Sequence, residues 1–283
     1  MTDKKQIYGL LGYPVEHSAS PDMHNRAFEH LGIDAEYFLF PVHPDSLSTE
    51  IDRLRRDSSI KGFNVTIPHK KTVMQFLDGI DESAELMGAV NTVKKDSGKL
   101  IGYNTDGYGF ARAIKAESGI GLDGKSIFVA GAGGAGCAVA RKCSYEGADR
   151  IGIFDIDYQR AQVLVDDLKN VSSSFNLSSD DEELERYLRD TDIAVNATPI
   201  GMKGEDFLPF DVSKLPDRAV VFDLVYNIPI TNLVKQSKSC GLKAYTGLSM
   251  LLYQGERAFE IWTGETAPHE IMQTALMKAV YGD

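Results

Sequence analysis

Three glycines give the sequence its clearest chemical signal, because Gly131, Gly133 and Gly136 have the spacing G-x-G-x-x-G. They stand between an apolar run, residues 126–130, and a helix-like segment, residues 137–143. In a strand–turn–helix unit the first glycine allows a tight turn, the second lets the backbone approach a pyrophosphate, and the third lets the helix pack closely on the sheet. Free N–H groups at the positive end of such a helix favour phosphate. The spacing therefore predicts a dinucleotide-binding loop.

The residues after this loop support that interpretation. A second apolar strand, residues 151–154, ends in Asp155, close to the position from which an acidic side chain bonds the adenosine ribose. The alternative is a glycine-rich turn that only connects a strand to a helix, and this context disfavours it.

A second group of polar residues offers hydroxyls, amides, one lysine and one carboxylate. Four stretches lie at predicted strand-to-loop junctions of the first domain, and a fifth begins the last helical part of the chain. Such a set suits a small substrate with several hydroxyl groups and an acid group. The stretches are residues 18–20, 64–70, 89–92, 104–107 and 253–255.

Length and composition limit the folds that can bring these residues together. At 283 residues the chain is long enough for two domains. Its 43% hydrophobic and 25% charged fractions are those of a globular protein. No apolar run reaches the ~18 residues that a membrane span needs. The net charge of −11 disfavours nucleic acid and anionic membranes as partners.

Neither the histidines nor the cysteines have the spacing of a metal site, so we expect no metal. Cys137, Cys143 and Cys240 fall in apolar contexts and are predicted to be small core residues. The N-terminal residues lack a basic segment followed by a long apolar region, which predicts a cytoplasmic protein.

Strand and helix patterns alternate along the chain. Ser20 is predicted to cap a helix over residues 21–31, with Pro21 at its first position. Beyond residue 125, about six strands alternate with helices, as in a parallel sheet whose ligands bind beyond the carboxyl ends of the strands. The predicted fold class is α/β, with an N-terminal α/β substrate-binding domain (residues 1–106 plus 250–283) and a Rossmann doubly wound parallel-sheet domain (residues 107–249). The C-terminal helices are predicted to return to the first domain.

In their order and co-occurrence, these motifs resemble the shikimate dehydrogenase family over nearly the whole chain, from Gly9 to Thr263. That family reduces 3-dehydroshikimate to shikimate with NADPH, and its quinate/shikimate relatives sometimes use NAD. The resemblance implies a Rossmann-fold oxidoreductase of aromatic amino acid biosynthesis. We expect it to act on small molecules, as a monomer or homodimer.

Lys70 and Asp106 match the catalytic pair of that family. Charge develops on a ketone oxygen when hydride adds to its carbon, and an ammonium can stabilise that charge and donate a proton. A carboxylate beside the lysine would orient it and bond a substrate hydroxyl. Without the resemblance, the favoured interpretation of Lys70 is a solvated lysine at a helix start, next to Lys71.

The resemblance also implies a set of substrate contacts. Ser18 and Ser20 match serines that hold the substrate carboxylate, although Ser20 could equally be a plain helix cap. Tyr226 matches a tyrosine near that carboxylate, with a packing role as the alternative. Three residues match positions that bond the ring hydroxyls, or else satisfy backbone groups as strand-end and turn residues: Thr66, Asn91 and Gln254.

NADPH-using members of the family end the second Rossmann strand in Asn-Arg-Thr, whose arginine faces the 2′-phosphate. This chain has Asp155, Ile156 and Asp157 there and keeps only Arg160. Two carboxylates repel a phosphate dianion, and Asp155 can accept hydrogen bonds from free ribose hydroxyls. NAD is therefore predicted, with NADP as the alternative. The predicted cofactor contacts are Gly131, Ala132, Gly133, Gly134, Ala135, Gly136, Asp155, Arg160, Thr198 and Gly247.

The resemblance thus implies shikimate dehydrogenase activity in chorismate biosynthesis, and the turn at Asp155 favours NAD as the cofactor. A second hypothesis is an NAD-dependent quinate/shikimate dehydrogenase of quinate catabolism. Ser20 disfavours it slightly, because quinate users often carry threonine at that position. Two more distant hypotheses are a dehydrogenase for another polyol or an amino acid, and a catalytically silent dinucleotide-sensing protein. Lys70 and Asp106 disfavour a sensor, which needs no proton-transfer pair.

Overall fold

The computed structural model describes residues 5–169, 171–177, 181–204 and 207–282. The chain divides into two compact units. The first unit is Met1–Tyr108 with Leu252–Asp283, and the second unit is Gly109–Leu251. The sequence predicts these divisions at residues 106/107 and 249/250.

The first unit is built on a mixed sheet with the strand order β2-β1-β3-β5-β6-β4. Its elements before residue 104 are β1 (Gln6–Gly12), α1 (Ser20–Leu31), β2 (Ala35–Pro41), α2 (Leu47–Arg56), β3 (Gly62–Val65), β4 (Gly79–Ile80), α3 (Glu82–Met87), β5 (Thr92–Asp96) and β6 (Lys99–Tyr103). β1 pairs in parallel with β2 and β3. β5 pairs antiparallel with β3 and β6, so this sheet is mixed. β5 and β6 form a tight hairpin, in which Ser97 (φ +51°) and Gly98 (φ +81°) both adopt left-handed conformations.

One predicted helical feature of this unit is wrong. Ala19 is the N-cap of α1 and Ser20 is its first helical residue, so Ser20 does not cap the helix. Its hydroxyl is engaged with Ser18 instead, at an Oγ–Oγ distance of 3.1 Å. The chain after β3 forms a short 3₁₀ helix, Thr72–Phe76.

The C-terminal helices α9 (Leu248–Thr263) and α10 (His269–Tyr281) complete the first unit from Leu252 onward. α10 packs on α1. Trp262 of α9 is buried, with its ring centroid 5.1 Å from that of Tyr8. The Trp262 indole N–H donates to Val93 O at 2.9 Å, which satisfies a polar group inside an apolar core. The predicted return of these helices to the first domain is confirmed.

The second unit is a doubly wound parallel sheet with the strand order β12-β11-β10-β7-β8-β9. Its helix α4 begins in the first unit. The elements are α4 (Asp106–Ser118), β7 (Ser126–Ala130), α5 (Gly134–Tyr145), β8 (Arg150–Phe154), α6 (Tyr158–Leu168), β9 (Ser173–Asn176), α7 (Asp181–Leu188), β10 (Ile193–Asn196), β11 (Val220–Asp223), α8 (Asn232–Ser239) and β12 (Lys243–Thr246). Every neighbouring pair is parallel, which confirms the predicted Rossmann sheet.

Within the described residues, no helix is both long and apolar enough to cross the bilayer. The same residues contain no cluster of three His, Cys, Asp or Glu side chains that could hold a metal ion. Cys143 is buried, as predicted, and Cys137 is half-buried. The predicted core position is wrong for Cys240, which is exposed because it follows the last turn of α8.

Candidate active site

Lys70 and Asp106 form an ion pair in the first unit, although 36 residues separate them in sequence. Lys70 Nζ lies 2.7 Å from Asp106 Oδ2. The two side chains remain 31% and 17% exposed, so a ligand can reach them. An ammonium held by a carboxylate can donate its remaining hydrogens to a ligand oxygen. The residues predicted to form the catalytic pair are therefore brought together.

Two contacts fix the loop that carries Lys70. His69 is buried, and its Nε2 lies 2.7 Å from Val42 O. The carbonyl oxygen of Lys70 accepts the backbone N–H of Val90 at 2.7 Å. Because the backbone is held at and next to Lys70, its ammonium approaches Asp106 from a defined direction.

Asp106 is the first residue of α4. Its backbone N–H donates to Asn104 Oδ1 at 2.9 Å, and Asn104 Nδ2 donates to Ala89 O at 2.8 Å. A carboxylate in the first turn of a helix is stabilised by the free N–H groups and the positive end of the dipole. The ion pair with Lys70 therefore lies at the positive end of α4.

Asn91 connects the ion pair to the sheet. Its Nδ2 donates to Asp106 Oδ1 at 2.8 Å and to Thr105 Oγ1 at 3.0 Å. Its Oδ1 accepts the backbone N–H of Thr105 at 2.8 Å. Both amide hydrogens of this buried side chain are thus used within the protein. Asn91 orients Asp106, and its contact with a substrate hydroxyl stays a prediction.

The other predicted substrate residues of the first unit lie near strand ends and on α9. Ser18 and Ser20 are half-buried, and the Ser20 backbone N–H donates to Ser18 Oγ at 3.2 Å. Thr66 is half-buried and directly follows the last residue of β3. Gln254 lies on α9, with its Oε1 3.5 Å from Thr105 Oγ1. Tyr226 follows β11 in the second unit and is 39% exposed.

The glycine-rich loop of the second unit has the geometry that a pyrophosphate requires. Gly131 has φ +101°, which favours glycine, and a Cβ on Gly136 would overlap the carbonyl oxygen of Gly131. A Cβ on Gly133 or Gly134 would meet nothing within 4 Å, so the space before α5 is open. α5 begins at Gly134 without a side-chain cap, which leaves its first N–H groups available to an anion. The loop therefore fits a dinucleotide.

The strand register lines up the loops around this helix end. Ala130 pairs with Phe154 on one side and with Asn196 on the other. Asn196 pairs with Asp223, and Asp223 pairs with Thr246. Because the last residues of these strands are aligned, the loops that follow them share one edge of the sheet. Four predicted cofactor residues lie in those loops: Gly131, Asp155, Thr198 and Gly247.

The Asp155 carboxylate is integrated into the glycine-rich loop. It is 7% exposed, and its Oδ2 accepts the Ala132 N–H at 2.7 Å. Arg160 reaches both carboxylates of this turn, 3.7 Å from Asp155 Oδ2 and 3.4 Å from Asp157 Oδ2. Ile156 is 97% exposed. Arg160 is the cation that could bind a 2′-phosphate, and it is paired with two carboxylates instead.

Thr198 and Gly247 are held by contacts within the second unit. Thr198 Oγ1 donates to Asn196 Oδ1 at 2.7 Å, and Asn196 Nδ2 donates to Asp223 Oδ1 at 2.8 Å. Asp223 is fully buried, and burial raises the pKa of its carboxyl group. A Cβ on Gly247 would overlap Leu224 O, so the backbone packing itself requires glycine there.

Several residues that shape the two binding regions belong to no motif that predicts their role. Asn104 and Thr105 lie in one of the polar stretches, and a buried amide or hydroxyl beside a carboxylate is the signal that could have identified them. Asn196 and Asp223 end apolar strands, where a polar residue marks a ligand edge or a buried network. A further residue, Tyr37, is a strand tyrosine whose neighbours only the fold reveals.

Three family profiles match the chain. The shikimate dehydrogenase substrate-binding domain matches residues 10–93. The shikimate/quinate 5-dehydrogenase profile matches residues 113–202, and the C-terminal domain of shikimate 5′-dehydrogenase matches residues 247–277. The first profile falls within the first unit and the second profile within the second unit.

Two curated relatives are similar to the chain over nearly its full length. A Methanopyrus kandleri protein named shikimate dehydrogenase (NADP(+)) is 45% identical over 276 residues, which cover 96% of this chain and 95% of that protein. A Desulforamulus reducens protein of the same name is 42% identical, and the match covers 98% of this chain and 96% of that protein.

Two solved structures agree with the fold of the whole chain. Shikimate 5-dehydrogenase from Listeria monocytogenes, in complex with shikimate and NAD, is 35% identical with a TM-score of 0.90 and covers 98% of each chain. Quinate dehydrogenase from Corynebacterium glutamicum, in complex with NAD, is 31% identical with a TM-score of 0.87 and covers 97% of this chain and 99% of that chain. A nicotinamide dinucleotide is common to the relatives and structures, and the relatives' names favour NADP over the predicted NAD.

Proposed function

The chain belongs to the shikimate dehydrogenase family, and we propose that it catalyses reversible hydride transfer between a nicotinamide dinucleotide and the shikimate/3-dehydroshikimate pair. The observation that carries this proposal is the accessible Lys70–Asp106 ion pair, with 2.7 Å between Nζ and Oδ2. Asn91 holds the second oxygen of that carboxylate at 2.8 Å. A protein that only senses dinucleotides has no need of a proton-transfer pair positioned in this way.

Each residue of the pair has a separate role. The bound dinucleotide supplies the hydride. Lys70 Nζ donates a hydrogen bond to the ketone oxygen, stabilises the charge that develops there, and gives up the proton. Asp106 holds the ammonium through Oδ2 and bonds a substrate hydroxyl. In the direction of oxidation, Lys70 takes the proton from the substrate hydroxyl.

The substrate contacts are part of the same proposal. Ser18 and Ser20 stand at the N-terminus of α1, where an anion is favoured, and they bind the substrate carboxylate. The ring hydroxyls contact three further residues of the first unit, Thr66, Asn91 and Gln254. A substrate role for Tyr226 stays a prediction.

The experiment that tests this function is steady-state kinetics with shikimate and quinate, each with NAD and with NADP. The proposal expects kcat/KM to be highest with shikimate. Quinate as the better substrate would favour the second candidate, a quinate/shikimate dehydrogenase, which the similarity to a quinate dehydrogenase that holds NAD supports. No turnover with either substrate would contradict both functions and favour a sensor.

For the cofactor we propose NAD, despite the relatives' names. Asp155 lies at the end of β8, where an acidic side chain accepts hydrogen bonds from both ribose hydroxyls. The exposed Ile156 offers no charge to a phosphate, and Arg160 is already paired with two carboxylates. A 2′-phosphate would therefore meet net repulsion at this turn.

The double variant Asp155→Asn with Ile156→Arg tests the cofactor choice. It removes one carboxylate and supplies a planar donor fork, so the preference should move towards NADP by about 1–3 kcal/mol, the scale of charge-assisted hydrogen bonds. The control Ile156→Gln changes the same exposed position without a cation and should leave the preference unchanged. The ratio of kcat/KM for the two cofactors is the measurement. A higher kcat/KM with NADP in the unmodified enzyme would contradict the proposal and show that Arg160 reaches the phosphate.

A further inference from the structure

A buried tyrosine links helix α1, which begins at Ser20, to the rest of the site. Tyr37 lies on β2, and its hydroxyl donates to Asn64 Oδ1 at 2.7 Å. Burial raises the pKa of Tyr37, so the hydroxyl keeps its proton.

From Tyr37 the hydrogen bonds continue in one direction to the ion pair. Asn64 Nδ2 donates to Thr92 Oγ1 at 3.0 Å, and Thr92 Oγ1 donates to Asn91 Oδ1 at 2.9 Å. Asn91 Nδ2 then donates to Asp106 Oδ1 at 2.8 Å. Successive hydrogen bonds of the same sense polarise one another, and the charge of the carboxylate lies at the end of the chain.

The direction of this chain is fixed by groups that can only accept or only donate. Asn64 Nδ2 also donates to the backbone carbonyl of Asn91 at 3.1 Å, so its oxygen must face Tyr37. Asn91 Oδ1 accepts the backbone N–H of Thr105 at 2.8 Å, so its nitrogen must face the carboxylate. Neither amide can be reversed without the loss of a buried hydrogen bond.

Two side chains of α1 hold Tyr37 in place. Asn25 Nδ2 donates to Tyr37 O at 3.1 Å, and Asn25 Oδ1 accepts the Tyr37 N–H at 2.8 Å. The His24 ring stacks on the Tyr37 ring with centroids 4.6 Å apart and an interplanar angle of 11°. The backbone and the ring of Tyr37 are therefore both set by one helix.

We propose that Tyr37 is a positioning residue that couples α1, whose N-terminus carries the carboxylate-binding serines, to the Lys70–Asp106 pair. α1 holds Tyr37, and the Tyr37 hydroxyl acts through Asn64 and Thr92 on the amide that orients Asp106. Tyr37 itself does not touch the substrate. This inference rests on the proposed function, because it concerns the same substrate.

Tyr37→Phe tests the inference, because it removes only the hydroxyl and keeps the ring against His24. We expect kcat for shikimate to fall and KM for shikimate to rise, each by roughly fivefold, the equivalent of about one neutral hydrogen bond. KM for the dinucleotide should not change. In the Thr92→Val background, Tyr37→Phe should have a smaller effect than alone, because the link between Asn64 and Asn91 is already broken.

Tyr8→Phe is the matched control. Tyr8 is also buried, pairs directly with Tyr37 in the sheet, and donates its hydroxyl to Gln6 Oε1 at 3.0 Å, outside the chain of hydrogen bonds. Tyr8→Phe should leave kcat and both KM values unchanged. If the folded variants Tyr37→Phe and Tyr8→Phe have equal kinetics while the unmodified enzyme is active, the inference is overturned.

A measurement that does not depend on turnover separates this inference from the proposed function. The side-chain amide NMR signals of Asn64 and Asn91 should move in Tyr37→Phe and stay in place in Tyr8→Phe. Thr92→Val, which breaks the same chain between Asn64 and Asn91, provides a second variant with the same expected movement if Tyr37→Phe does not fold. An inactive unmodified enzyme contradicts the proposed function alone, whereas unmoved Asn91 signals overturn the role of Tyr37.

Discussion

Lys70 and Lys71 are neighbours in sequence with different surroundings, which makes them a matched pair. Lys70 is paired with Asp106, whereas Lys71 is exposed. Lys70→Ala should lower kcat by roughly 10²-fold or more with little change in KM, because the group acts in the transition state. Lys71→Ala should leave both constants unchanged. Steady-state kinetics on shikimate measures the difference, and equal kcat values in the two variants would show that Lys70 is only a solvated lysine.

His24 makes the stability of the first unit sensitive to acid. It is fully buried, neither ring nitrogen has a hydrogen-bond partner among the described residues, and burial lowers its pKa from 6.5 to about 3. The unfolded chain therefore binds more protons than the folded protein between these values, and stability falls as the pH falls through this window. From pH 7 to pH 5 the contribution of His24 to the free energy of unfolding should fall by about 2 kcal/mol.

Chemical denaturation at pH 7 and pH 5 measures this effect. His24→Phe should lose that part of the pH dependence, since it has no titrating group in the same stack. His30→Gln is the control, because His30 is exposed on the same helix and should leave the pH dependence unchanged. An equal loss of stability at pH 5 in the native protein and in His24→Phe would contradict the prediction.

The sequence could predict single residues only where a motif carries them. Lys70 and Asp106 were identified through the resemblance, and the ion pair that joins them is consistent with that identification. Tyr37 could not be found, because its role depends on contacts with α1 and β3 that are distant in sequence. For Ser20 the local signal is misleading. The serine–proline pair is a strong capping signal, yet Ala19 is the N-cap of α1 and the Ser20 hydroxyl bonds Ser18 instead.

In the turn between β7 and α5, we expect one glycine to matter for stability and another to matter for cofactor binding. Gly136→Ala should destabilise the second unit by about 2–4 kcal/mol, because its Cβ would overlap the carbonyl oxygen of Gly131. Gly133→Ala should keep the stability, since its Cβ meets nothing within 4 Å, and should weaken dinucleotide binding where the backbone approaches the pyrophosphate.

Thermal denaturation and calorimetric titration with NAD measure the two effects. Both glycines belong to the same motif, so each variant is the control for the other. An equal loss of stability in the two variants would show that the open space at Gly133 is needed for the fold. Unchanged NAD affinity in Gly133→Ala would place the pyrophosphate elsewhere.

Elements of the second unit were easier to predict than those of the first. Apolar runs such as β7 and β10 are buried on both faces, so their sequences read directly as central parallel strands. In the first unit, β4 has only two residues, too few for a pattern. β5 and β6 run antiparallel because the tight turn that joins them has Ser97 and Gly98 in left-handed conformations. The alternation of strand and helix patterns along the sequence does not predict such a turn.

At the scale of the whole molecule, the two units predict two separate responses to ligands. NAD alone should slow amide hydrogen exchange around residues 131–136 in the second unit. Shikimate alone should slow exchange around residues 18–20 and 104–106 in the first unit. A ligand at 100 times its Kd stabilises the state that binds it by about 2.7 kcal/mol. Hydrogen-exchange mass spectrometry measures both responses, and protection by shikimate confined to the second unit would contradict the assignment of its contacts.

The discontinuity of the first unit has a consequence for its synthesis. Translation is vectorial, so Trp262, which packs over Gly62 and Tyr8 and bonds Val93 O, is made only after the entire second unit. The second unit is continuous and holds all the strands of its sheet, so it can close its core as it leaves the ribosome. The first unit must wait roughly ten to thirty seconds at common elongation rates with its aromatic face uncovered. In that interval the nascent chain depends most on chaperones.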